Sequence, residues 1–134
     1  MAYFFVFLTI LFWGIGTYLG KAALHGVSPL YVYLFEALGT LTVACLTSLF
    51  FRRELLGAIA RFSWAGYLFG ILWGIGTVTF VIALKYKPAG VVVSLTGLYP
   101  LVTVVLAVLF LGETITMKTG IGMSLAILGG LLLF

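Results

Sequence analysis

An all-α integral membrane protein with five transmembrane helices is predicted from three features of the chain. First, the 134 residues are 64% hydrophobic and 7% charged, with a mean hydropathy of +1.33; soluble domains carry about a quarter charged residues. Second, the apolar residues fall into runs near 20 residues long, the length that crosses a ~30 Å hydrocarbon core. Third, Lys and Arg stand singly or in pairs at the ends of those runs, as membrane-surface anchors do. Five such spans use about 100 residues, so the chain reads as a single membrane domain over 1–134. The net charge of +4 therefore marks a membrane protein and not a nucleic-acid binder. Cys45 is the single cysteine, which excludes an internal disulfide. No nucleophile with a base and no metal-ligand spacing is present, so neither an enzyme nor a metal protein is expected.

The first span, 3–24, has no Lys or Arg before it and reads as a retained helix rather than a secretory signal. Thr9, Trp13, Thr17 and Lys21 recur every four residues and share one face, with Gly16 and Gly20 forming a close-approach surface beside them. His25 to Pro29 is a tight turn whose proline starts the next helix.

The second span, 30–51, holds Glu36, the one acidic residue inside an apolar run. A carboxylate at that depth is costly in lipid and normally faces a cavity or a partner. Tyr33, Glu36, Thr40 and Thr47 lie near one face and give the carboxylate hydroxyl-bearing neighbours. With the turn at the membrane edge, Glu36 is roughly 9 Å deep and Lys21 roughly 5 Å deep from the same side. Two readings stay open: a structural Lys21–Glu36 pair that neutralises both groups, or a Glu36 that titrates or touches substrate.

A short connection bearing Arg52, Arg53, Glu54 and Arg61 leads to the third span, 63–84. Gly66, Gly70 and Gly74 repeat every four residues, a helix-packing pattern, and Trp64 and Tyr67 fit an interfacial belt. The segment WGIGT at 73–77 repeats WGIGT at 13–17 at an offset of sixty, which suggests similar packing of the first and third spans.

The fourth span, 89–111, carries Pro100 near its middle, where the ring cannot donate to the Thr96 carbonyl. Thr96, Tyr99, Pro100 and Thr103 share a face, so a polar stripe lies beside a loosened backbone. This can serve a substrate path or can be a kinked packing helix whose Thr hydroxyls bond back to their own turn. Gly112 and Glu113 end the span, Thr114 or Thr116 caps a fifth helix over 117–134, and Gly122, Ala126 and Gly130 give that helix a small-residue packing stripe.

With five spans, Arg52, Arg53, Arg61 and Lys118 lie on the side of the N-terminus, against Lys21, Lys85 and Lys87 on the other. The small excess places the N-terminus in the cytoplasm but orients the chain weakly. Two copies inserted oppositely would form an inverted pair; a parallel dimer or a second half-transporter is the alternative.

These residues resemble the EamA-type branch of the drug/metabolite transporter superfamily. The resemblance is carried by FWGIGTYLGK at 12–21, SP at 28–29, ALKYKPAGVVVSLTGLYPLVTVVLAVLFLGE at 83–113 and GIGMSLAILGGLLL at 120–133. It implies one five-helix half-transporter unit in the cell membrane of a prokaryote, exporting a small metabolite or amphipathic compound by alternating access as a dimer, with no bound cofactor. Trp13, Lys21, Pro100 and Glu113 match the family's first-helix Trp and Lys, fourth-helix Pro and terminal Glu. Seven residues after the opening proline the family usually has Arg; here that position is Glu36, which points to proton coupling or cationic substrates. The related small multidrug resistance proteins carry a titrating Glu in the first helix, and this first helix has none. The competing functions are a membrane scaffold or assembly subunit, and a lipid-carrier flippase subunit.

Overall fold

Each helix starts and stops where local chemistry dictates. A computed structural model of the chain describes residues 1–132, Ile59 by its backbone alone. Among these residues the chain forms α1 (Ala2–Ala23), α2 (Pro29–Phe50), α3 (Arg52–Ala60), α4 (Trp64–Tyr86), α5 (Ala89–Thr96), α6 (Tyr99–Leu111) and α7 (Met117–Leu131). At the start of α2, Ser28 Oγ accepts from the Leu30 amide at 3.3 Å and Pro29 occupies the first turn, where its missing N–H costs nothing. Gly26 takes φ 78° in the turn before it, a left-handed geometry that glycine adopts without penalty. Gly112 does the same at φ 66°, and the amides of Gly112 and Glu113 both turn back to the Ala107 carbonyl to close α6. Of the two threonines expected to cap α7, Thr116 does so, its Oγ1 accepting from the Thr119 amide at 3.2 Å.

The membrane reading is refined in two places. Among the described residues four stretches are long and apolar enough to cross a bilayer: Ala2–Ala23, Pro29–Phe50, Trp64–Tyr86 and Ala89–Leu111. The fifth apolar helix, α7, has 15 residues and spans about 22 Å, short of the ~30 Å core; the expected span to 134 ends beyond the described residues. The connection after the second span is itself a helix, α3.

The spanning windows bury at most 11% of their residues within the chain, so almost all of their apolar surface is left for lipid or for other protein. The chain divides into two compact units, Met1–Tyr86 and Lys87–Phe134. In the first, α2 packs chiefly on α4, and α1 also packs on α4. Its buried apolar residues are Leu24, Val32, Val81 and Leu84. In the second, Val92 and Gly130 are buried. A Cβ on Gly130 would come within 2.8 Å of the Leu98 Cδ1 methyl, so this glycine is a point of close approach between α7 and the residue joining α5 to α6.

Candidate functional site

The first unit is closed at one end by apolar packing and by lysines. Leu24 ends α1, Val32 lies in the first turn of α2, and Val81 and Leu84 lie in the last turns of α4. All four are at most 9% exposed. The last carbonyls of a helix lack intrahelical donors and carry the negative end of its dipole, and here each of two helix ends receives an ammonium from the other helix. Lys21 Nζ of α1 donates to the Leu84 carbonyl. Lys85 Nζ of α4 donates to the carbonyls of Leu24 and Val27, both at 3.2 Å. Deeper along the same pair, the rings of Trp13 and Trp73 meet with centroids 5.2 Å apart. Trp13 and Trp73, like Leu24 and Leu84, are sixty residues apart, so the two helices run parallel with the first residues of the WGIGT repeats in contact.

The Lys21 ammonium is thus engaged by the end of α4. The α4 terminus offers it uncompensated carbonyls, which attract a cation without requiring α1 to turn toward Glu36. Glu36 is exposed on α2, and its Oε1 accepts from Thr40 Oγ1 at 3.2 Å, one turn on. That bond separates Thr40 from the other bonded hydroxyls on the spans. Thr9, Thr42, Thr47, Thr77 and Thr79 donate back to carbonyls of their own helices, whereas Thr40 gives its proton to the carboxylate. Thr17 is half-buried on α1.

Beyond the closed end, one face of α4 and Tyr33 of α2 border an open surface groove of about 530 Å³, floored by Gly66, Gly70 and Gly74 and flanked by Tyr33, Tyr67 and Ile71. This volume lies within the range of small-molecule sites. Within the described residues of this chain the glycine stripe leaves space. A Cβ on Gly70 would meet nothing within 4 Å, one on Gly66 would meet only Ser63 of the preceding turn, and one on Gly74 would lie 3.5 Å from the Tyr33 hydroxyl. The Tyr33 side chain reaches across to α4 and occupies the position a second backbone would need for close approach. Gly16, Gly20 and Gly122 likewise meet nothing within 4 Å among the described residues. Tyr33 is the residue that joins the groove to the Glu36–Thr40 face.

In the second unit the proline acts largely as expected, with the break shifted upstream. α5 ends at Thr96, Gly97 and Leu98 form a tight turn, and Pro100 enters the first turn of α6. The Leu98 amide reaches the Leu95 carbonyl and the Leu101 amide the Leu98 carbonyl, three-residue closures that keep the backbone bonded through the break. Thr96 Oγ1 donates to the Val92 carbonyl at 2.8 Å, and Thr103 Oγ1 lies 3.5 Å from that of Tyr99. Both hydroxyls thus engage their own helix, the packing alternative for this span. The expected site residues divide between the units, with Trp13, Thr17, Lys21, Tyr33, Glu36 and Thr40 in the first and Thr96, Tyr99, Pro100 and Thr103 in the second.

Sequence reasoning missed Tyr67 and Ile71 as groove residues, Trp73 as the partner of Trp13, and Lys85 as a cap. A signal for the last two existed: the sixty-residue offset that aligns the tryptophans also sets Lys85 level with the turn after α1.

Comparison with known proteins gives a consistent result. The model of the EamA-like transporter family matches residues 1–134. An uncharacterized protein of Methanocaldococcus jannaschii is 29% identical over 126 residues, covering 94% of this chain and 90% of its own length. No solved structure matches.

Proposed function

The chain belongs to the EamA-like transporter family, and on that premise we propose that it is a half-transporter which pairs with a second unit to export a small metabolite or amphipathic compound by alternating access. The family is one of transporters of small compounds rather than enzymes, and the chain is a multi-pass membrane protein. The family match over the whole chain carries the reading. Three features of the first unit support it. One end is closed by Leu24, Val32, Val81 and Leu84 and the two lysine caps. A groove of ligand size lies beyond it, and alternating access needs an asymmetry of this kind across the membrane. Glu36 stands exposed at membrane depth with a single hydroxyl bound, a group whose charge calls for a water-filled path, a substrate or a second subunit.

In this proposal Tyr33, Glu36, Thr40, Trp13 and Thr17 serve the first unit's part of the path. Tyr99, Pro100, Thr96 and Thr103 serve the second unit's, with the α5–α6 break as the flexible element. Glu36 couples export to protons or selects cations. The host membrane is the plasma membrane of a prokaryote, and the partner is a second copy, parallel or inverted, or another half-transporter. A scaffold role is the second reading, favoured by the back-bonded Thr96 and Thr103 and by the structural use of both lysines; a flippase subunit for lipid carriers is a variant of the transport reading.

The test is flux in proteoliposomes of the full chain under an imposed pH gradient, across a panel of amphipathic cations and small neutral metabolites. Transport is expected for cations in the wild type, with loss of pH-driven flux in Glu36→Gln at unchanged expression. Unaltered coupling in that variant removes Glu36 from the mechanism, and absence of flux across the panel favours the scaffold. C-terminal reporters that signal on one side of the membrane only, used as a pair, decide between one orientation and two.

A further inference from the structure

The segment between α2 and α4 forms a nine-residue helix, α3. At about 14 Å it is too short to cross a bilayer. Its two ends are tied to the ends of two spans, Phe50 and Trp64, which places it at the level where both leave the hydrocarbon. At 100° per residue, Arg53 and Glu54 lie away from the side of α3 that Leu55 and Leu56 flank, Arg52 falls on the leucine side, and Arg61 is the residue that follows the helix. Arg52 sits at the first position, where a long side chain can reach outward. All three arginines are exposed. At the opposite end of these spans the cations are lysines, and Lys21 and Lys85 give their ammonium groups to backbone carbonyls.

A second observation fixes the depth. Immediately after α3, Phe62, Trp64 and Tyr67 form a cluster of mutually tilted rings, with centroids 5.0 Å apart for Phe62 and Trp64, 5.9 Å for Phe62 and Tyr67, and 6.4 Å for Trp64 and Tyr67. The rings of Phe62, Trp64 and Tyr67 remain 61%, 71% and 55% exposed. Aromatic residues with polar tips settle at the headgroup level of a bilayer, so the cluster and the arginines occupy one layer. A guanidinium fork matches the oxygens of a phosphate better than an ammonium does.

We propose that α3 is a membrane-surface helix, and that its Arg52 and Arg53 and the Arg61 that follows it bind the phosphates of acidic phospholipids, with Leu55 and Leu56 seated among the upper acyl chains and the Phe62–Trp64–Tyr67 cluster at the headgroup boundary. The partner is the anionic headgroup of the surrounding leaflet, and the binding fixes the membrane depth of the α2 and α4 ends that flank the groove. The inference rests on the multi-pass architecture and does not require transport.

The test uses the full chain in nanodiscs of phosphatidylcholine with a minor fraction of phosphatidylglycerol, and counts retained lipids by native mass spectrometry. The wild type is expected to retain phosphatidylglycerol well above its mixing fraction, and this enrichment should collapse in 1 M salt, which screens exposed charges. Each of Arg53→Gln and Arg61→Gln should lower the enrichment about fivefold, the effect of one basic residue near an anionic surface. The triple Arg52→Gln, Arg53→Gln, Arg61→Gln variant should return it to the mixing fraction, while the triple Arg→Lys variant keeps part of it. The single variants carry the test if the triple one does not insert. Undiminished enrichment in the glutamine variants, or enrichment that survives 1 M salt, overturns the proposal. A change in protein oligomer mass with unchanged lipid count also overturns it, since the arginines would then face a second copy.

Discussion

The two ends of the α1–α2–α4 unit solve the problem of helix association in lipid in opposite ways. At the His25 turn, side chains fill the space: Leu84 is 1% exposed, and two ammonium groups cross between helices to carbonyls that no backbone donor reaches. Toward Gly66, side chains are withheld, and three glycines on one face of α4 leave a groove. In a bilayer there is little hydrophobic drive to join helices, so association follows packing and polar contacts. The first end has both. The glycine face opens because Tyr33 stands across from it, and small residues become a cavity floor wherever a large one is placed opposite.

This contrast can be broken by experiment. The largest effect is expected for Leu84→Ala, which should cost about 2–3 kcal/mol by cavity formation, whereas Leu72→Ala, 68% exposed on the same helix, should cost under about 0.5 kcal/mol. Thermal unfolding in detergent compares them, and equal losses would mean the first end is no better packed than the rest. Next, Lys85→Met removes two charge-assisted bonds of a largely exposed group, and after allowance for solvent about 1 kcal/mol should be lost. A silent Lys85→Met would leave closure to the apolar residues alone. The glycines give a smaller effect of opposite sign. Gly130→Ala places a methyl against Leu98 and should destabilise by up to about 1 kcal/mol, while Gly70→Ala should stabilise α4 by a few tenths, up to about 0.8 kcal/mol. If Gly70→Leu leaves stability intact but abolishes flux, the groove is on the transport path; full flux in that variant separates the two.

The helices and their stops were largely legible in the sequence. Ser28–Pro29, Gly112 and Thr116 act through their nearest neighbours, and the predicted spans fall within two residues of the observed starts. α3 was missed because nine residues with arginines read as a connection, although the spacing of Leu55 and Leu56 against Arg53 and Glu54 carried an amphipathic signal. The site was less legible. Glu36 was visible as an isolated acid in an apolar run, but depth alone left its pairing with Lys21 as one of two readings, since depth does not state the direction in which a side chain leaves its helix. The WGIGT repeat was visible, yet nothing in it required that the two copies face each other through Trp13 and Trp73.

What the sequence by itself determined is what each segment does alone: where lipid demands a helix, where a glycine or proline ends it, and to which family the pattern is similar. A membrane helix satisfies its backbone within its own residues, so its existence and length are local facts. Tertiary structure alone decided that Lys21 and Lys85 cap each other's helices, that Thr40 serves Glu36, and that a glycine stripe floors a groove. Those outcomes depend on the rotation and register of one helix against another, which many side chains share and which no single stretch of sequence encodes.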